Sequence, residues 1–198
     1  LNYLMVYLIV TSVVDSVRQV REMLKVLFAA GLAVAAIGLL AAAGYSDYPG
    51  ALKFGLIMST LQYSNTMAAY LGVMILLGIT LLQQENNTYL KVVYSIANLL
   101  MALAFLGSMS KGAWVVLAGG ALLLVLGMPG IHRIKSIFYL GLGMGTALLV
   151  YRPFHAALSS TPDIKPLLYV GLGVLLAAAG VFVWDLLLRI WTRQKHGP

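Results

Sequence analysis

The sequence predicts an all-α, polytopic membrane protein: a bundle of about six full transmembrane spans preceded by a truncated first helix. Three observations carry that expectation. Of 198 residues, 61% are hydrophobic and only 10% are charged, where a soluble domain carries roughly a quarter charged residues. The apolar residues fall in runs close to the length of about 20 that a bilayer demands of a helix. The 13 Lys and Arg gather in short clusters between those runs, a pattern of membrane topology rather than the continuous basic face of a nucleic-acid binder. The net charge of +7 therefore argues for no nucleic-acid partner.

Taken in order, residues 1–14 are apolar but too short to span, so they read as the end of a truncated helix. The chain opens without Met or a basic leader, which points to a piece of a longer polypeptide. Residues 15–25 carry Arg18, Arg21 and Lys25 against Asp15 and Glu22 and form a short helical connection on the cytoplasmic side. Residues 26–44 are a first full span rich in Ala and Gly, which let helices approach closely.

Residues 45–66 mix Tyr, Ser, Asp, Pro, Gly, Gln and Asn with a short apolar piece, and read as an interfacial or partly re-entrant segment on the outer side. Spans follow at 67–83, 92–109 and 113–127, joined by a polar turn at 84–91 and a tight one around Ser110 and Lys111. A basic loop at 128–136 leads into a span at 137–151. Three prolines, Pro153, Pro162 and Pro166, mark an outer loop at 152–166. The last span, 167–188, ends in a basic cytoplasmic tail at 189–198.

Strict alternation gives the cytoplasmic side nine basic residues and the outer side four, Lys53, Lys111, Arg152 and Lys165. That division obeys the positive-inside rule and sets the C-terminal tail in the cytoplasm. It also places two polar knots, 62–66 and 108–112, on the outer side.

Lys111 is the residue that the rest is organised around, because a cation between two apolar runs is expensive unless it reaches water or an anion. An interfacial lysine beside an aromatic anchor, Trp114, is the plain alternative. Asn65 opens a span after a polar segment, where its ordinary use is as an N-cap. A helix start also presents free N–H groups to anions, so Asn65 and Lys111 together suggest a diphosphate site facing one outer cavity.

Other motifs give less. Gly141-Leu142-Gly143-Met144-Gly145 and Gly171-Leu172-Gly173 lie inside apolar spans and follow no strand, which excludes a dinucleotide-binding reading. Gly141 and Gly145 instead have the spacing of a helix-packing motif. His132 and His196 belong to basic clusters expected on the cytoplasmic side. His155, beside Arg152, is a weak candidate acid or base set against a plain loop histidine. Cysteine is absent, no metal-ligand cluster appears, and no cofactor is implied.

Two stretches carry a resemblance. Thr60-Leu61-Gln62-Tyr63-Ser64-Asn65-Thr66-Met67-Ala68-Ala69-Tyr70-Leu71 resembles the Thr-Phe-x-x-Pro-Asn-x-x-Ala-x-Tyr-Leu signature of the O-antigen ligase and polymerase family of bacterial membrane proteins. Ser108-Met109-Ser110-Lys111-Gly112-Ala113-Trp114 resembles that family's Thr-x-Ser-Arg-Gly-Ala-Trp element. Ser64 stands in place of the proline, Ser108 of the threonine and Lys111 of the arginine. The last change trades a bidentate fork for a point charge.

The resemblance covers residues 26–136 and implies a GT-C-like, metal-independent glycan transferase of the bacterial cytoplasmic membrane. Such an enzyme moves an oligosaccharide from undecaprenyl diphosphate to an acceptor hydroxyl on the outer face. By this carry-over Lys111 holds the diphosphate and Asn65 shapes the cavity or hydrogen-bonds the lipid-linked sugar, with Ser110 and Gln62 as further substrate-binding candidates. The partners implied are the lipid-linked oligosaccharide and membrane lipids; the acceptor is not legible. Two other readings compete: a noncatalytic membrane scaffold or lipid-binding subunit of the same fold, and a small-molecule transporter, which would place its polar groups mid-membrane.

Overall fold

The computed structural model of the chain describes residues 4–5, 11–12, 14–158 and 162–195, except for the side chains of 189 and 191–195. The expected truncated helix over 1–14 lies for the most part outside them, as does His196. The rest is a helical bundle: α1 (Val17–Ala42), α2 (Ser64–Gln84), α3 (Thr88–Gly107), α4 (Lys111–Gly127), α5 (Gly130–Ala156) and α6 (Ile164–Lys195). Five of these, all but α4, are long and apolar enough to cross a bilayer, which marks a multi-pass membrane protein. The sixth span of the expectation corresponds to α4, an apolar helix of 17 residues.

Helix ends follow local chemistry. Ser16 caps α1, its hydroxyl accepting from the Gln19 N–H at 3.3 Å while the Gln19 side chain accepts from the Ser16 N–H at 3.1 Å, a reciprocal capping box. The basic stretch 17–25 is therefore the first two turns of α1 and not a separate connection. Likewise the loop expected at 128–136 shrinks to residues 128 and 129, because α5 begins at Gly130. The outer loop expected at 152–166 is narrowed from both sides, because α5 runs to Ala156 and α6 begins at Ile164. Pro166 falls in the first turn of α6, where a missing N–H costs little, whereas Pro153 lies inside the last turn of α5 and withholds the N–H that the carbonyl four residues earlier would accept. The tail from Arg189 continues α6 to Lys195.

Successive helices run antiparallel, so every turn falls at one of two ends. The hairpin end carries 43–63, 108–110 and 157–163; the opposite end carries 85–87 and 128–129. The core lies among α1, α2, α3, α5 and α6, with α3 at its centre: Leu99, Met101, Leu103 and Phe105 are all fully buried. Glycines set the closest approaches. A Cβ on Gly31 would meet the Met74 Cγ at 2.7 Å, and one on Gly173 would meet Leu99 at 3.1 Å. The packing expected of Gly141 and Gly145 is corrected: both face open space, and it is Gly143 between them that lies against Asn98.

The opposite end is fastened by a pair that the sequence reading missed. Asp185 of α6 accepts from the Lys91 Nζ at 2.8 and 3.0 Å and from the Thr88 hydroxyl at 2.7 Å. Both charged side chains are largely buried, at 13% and 8% exposure. A lone acid in an apolar span was the available signal, since such a group requires a partner. Phe138 and Trp184 stack at 4.1 Å and 10° beside it.

Between α1 and α2 the chain forms a two-strand hairpin, β1 (Leu52–Lys53) and β2 (Leu56–Ile57), then a single 3-10 turn, Ser59–Leu61. This segment turns back along the bundle. Ile57 is fully buried over Gly38 and Gly107, where a Cβ on Gly38 would lie 2.7 Å from its Cγ2. Ser59, also fully buried, donates its hydroxyl to the Val34 carbonyl at 2.5 Å.

Candidate functional site

The turn between α3 and α4 is built from the polar knot around Lys111. Ser108 donates its hydroxyl to the Phe105 carbonyl at 2.6 Å and accepts from the Ser110 N–H at 3.3 Å. Met109 adopts a left-handed φ of 52°, and Ser110 then caps α4, accepting from the Ala113 N–H at 3.3 Å. Ser110, a substrate-binding candidate in the sequence, is thus buried and occupied as a helix cap. Lys111 is the first residue of α4 and is exposed, with open space beside Gly112. Trp114 packs edge-on against Phe105 with centroids 5.5 Å apart.

The second knot behaves differently. α2 begins at Ser64, and its N-cap, Tyr63, supplies no side-chain hydrogen bond. Asn65 is therefore the second residue of the helix rather than its cap, and it is exposed. Gln62, also exposed, takes a left-handed φ of 54° and donates its Nε2 to the Pro49 carbonyl at 2.9 Å. Its amide holds the loop together.

The two knots share one end because α2 and α4 run parallel and touch. A Cβ on Gly72 of α2 would meet the Leu117 Cβ of α4 at 3.9 Å, and one on Gly120 would meet Leu76 at 2.7 Å. Asn65 lies seven residues before Gly72, and Lys111 six before Leu117, so each stands about 10 Å along its helix from that contact. Two helix N-termini thus sit side by side, one uncapped and the other carrying a cation.

Arg152 and His155 reach the same end through the last turn of α5. Arg152 is exposed; His155 is half-buried, its ring 5.5 Å from that of Tyr151. Among the described residues neither Lys111 nor Arg152 has a carboxylate partner. All six sequence candidates therefore lie at the hairpin end, though Gln62 and Ser110 spend their hydrogen bonds on the local backbone.

Two clefts of about 620 Å³ each open at the opposite end, one beside Asn86, Asn87 and Asp185 and one beside Arg18, Arg21 and Gln84. Neither is lined by any of the six. What sequence reasoning missed at the hairpin end is Ser59 and its seat; single glycines at 38 and 107 inside apolar helices were the signal for it.

Fold and site together define a multi-pass helical membrane protein with Lys111 and Arg152 exposed at one end. No family model, no curated protein and no solved structure matches the chain.

Proposed function

We propose that this protein is a membrane glycan transferase of the O-antigen ligase and polymerase kind, transferring an oligosaccharide from undecaprenyl diphosphate to an acceptor hydroxyl. One observation supports the reading above others: Lys111 stands exposed and, among the described residues, without a carboxylate partner, beside the uncapped start of α2. A cation at a helix N-terminus is opposed by the helix dipole, and a second parallel N-terminus adds to the same positive field. An anion relieves both, and a lipid-linked diphosphate would bring it from the bilayer side.

On this reading Lys111 holds the diphosphate as charge develops on it during departure, which is where fixed positive charge lowers a barrier. The N–H groups at the start of α2 donate to the second phosphate, and Asn65 faces the sugar. Arg152 and His155 remain the candidates for the acceptor side. The nine-to-four division of basic residues favours an outward-facing hairpin end and a cytoplasmic C-terminus; on this reading the membrane is a bacterial cytoplasmic one.

One observation favours the noncatalytic scaffold instead: Ser108 and Ser110 are accounted for by capping alone. The test is expression in a strain lacking its own ligase, scoring glycan attached to acceptor for wild type, Lys111→Ala and Lys111→Arg. Loss in the first and retention in the second supports the transferase. Wild type failing to restore glycan, or equal output from all three, removes it.

A further inference from the structure

We propose that the β1–β2 hairpin is a membrane anchor whose tip, Phe54, inserts among the lipid headgroups at the edge of the hydrocarbon. The proposal is independent of the transferase reading. It begins with a conformation: Phe54 and Gly55 form the two-residue turn with φ of 53° and 74°, both in the left-handed region that such turns reserve for Asn, Asp and Gly. A phenylalanine gains nothing from that backbone and is opposed by its own Cβ. Its ring is 96% exposed, so no packing within the chain offsets the strain.

The hairpin is not a loose loop. Its base is fixed by Ile57 between Gly38 and Gly107, by the Ser59 hydroxyl on Val34, and by the Met58 and Ser59 N–H groups, which donate to the Ala51 carbonyl at 2.8 and 3.0 Å. Depth follows from that seat. Gly38 lies one turn, about 6 Å, inside the end of α1, and Phe54 is three residues from Ile57, at most about 10 Å away. The tip is thus kept within about 10 Å of that seat, near the end of α1, where a membrane helix would emerge.

Its surroundings have the composition of that level. Of the seven exposed aromatic residues among those described, five lie at the hairpin end: Tyr45, Tyr48, Phe54, Tyr63 and Trp114. Aromatic side chains gather where bilayer meets water. Lys53, exposed beside the tip and without a carboxylate partner among the described residues, is suited to a lipid phosphate. The anchor would hold the 43–63 segment, and with it the start of α2, at headgroup depth.

The chain has no cysteine, so Phe54→Cys gives a single labelling site, with Asp47→Cys as a control on the same segment. Each nitroxide-labelled protein is reconstituted into vesicles of phosphatidylcholine and phosphatidylglycerol. Accessibility is then read with oxygen, which partitions into lipid, and with a water-soluble nickel chelate. The anchor predicts that oxygen dominates at position 54 and the chelate at position 47. Chelate dominance at 54, as at 47, overturns it. Shielding from both reagents at 54 also overturns it, and points to a second copy or another protein on the tip.

Discussion

Removing one partner of the Lys91–Asp185 pair should cost far more than removing both. The Lys91 Nζ makes both its contacts to Asp185, whose second oxygen also takes the Thr88 hydroxyl. With side-chain exposures of 13% and 8%, neither group is fully solvated, and breaking such a pair costs about 3–5 kcal/mol. The two halves are not equivalent. In Asp185→Leu, the lysine can turn its long stem toward the near end of the bundle, so the cost falls toward about 3 kcal/mol. In Lys91→Met, the short carboxylate cannot follow and keeps only Thr88, so the cost approaches about 5 kcal/mol. Each is more than a hundredfold in the folded-to-unfolded ratio, since about 1.4 kcal/mol is tenfold. The double variant replaces the pair by apolar side chains and should recover most of the loss. Equilibrium unfolding of the four proteins in detergent micelles measures the cycle. Single losses below about 1 kcal/mol that add within about 0.5 kcal/mol would show a solvent-screened pair and refute the reasoning.

Other substitutions probe the hairpin end. Gly107→Val should unseat Ile57, which already lies against the position of a Cβ there, costing about 1–3 kcal/mol by overpacking; Ile57→Ala in the same chain should return part of it, read by thermal unfolding. Ser110→Ala should cost about 1 kcal/mol through loss of the cap on α4, whereas Ser110→Asp should hold stability. If Ser110 binds substrate instead, its loss would lower affinity with no change in melting.

Hydropathy made the bundle legible because each membrane helix must cover its own backbone with apolar side chains, whatever its neighbours are. The same measure reports the bilayer and not the helix, so it ended α5 at its apolar part and left 130–136 as a loop. Those basic residues belong to the same helix. Helix ends were poorly legible: the capping box that Ser16 and Gln19 form was passed over in favour of a start at 26, and Asn65 looked like a cap although it lies two residues inside its helix. Contacts over long separations were not legible. Nothing near Asp185 names Lys91, 94 residues away, and nothing near Ile57 names Gly107. At the site, the sequence placed Asn65 and Lys111 on one side by alternation alone. The parallel contact of α2 with α4 that sets them at a common height depends on Gly72 and Gly120, whose partners only packing reveals.

Titration of the purified protein in nanodiscs with a polyprenyl diphosphate, beside the matching polyprenol, addresses the anion site most directly. Diphosphate binding should be at least tenfold weaker in Lys111→Ala, retained in Lys111→Arg, and reduced by salt, with the polyprenol indifferent to all three changes. Equal diphosphate affinity in wild type and Lys111→Ala would mean that this lysine holds no phosphate, and the paired helix starts would then be no more than a feature of the packing.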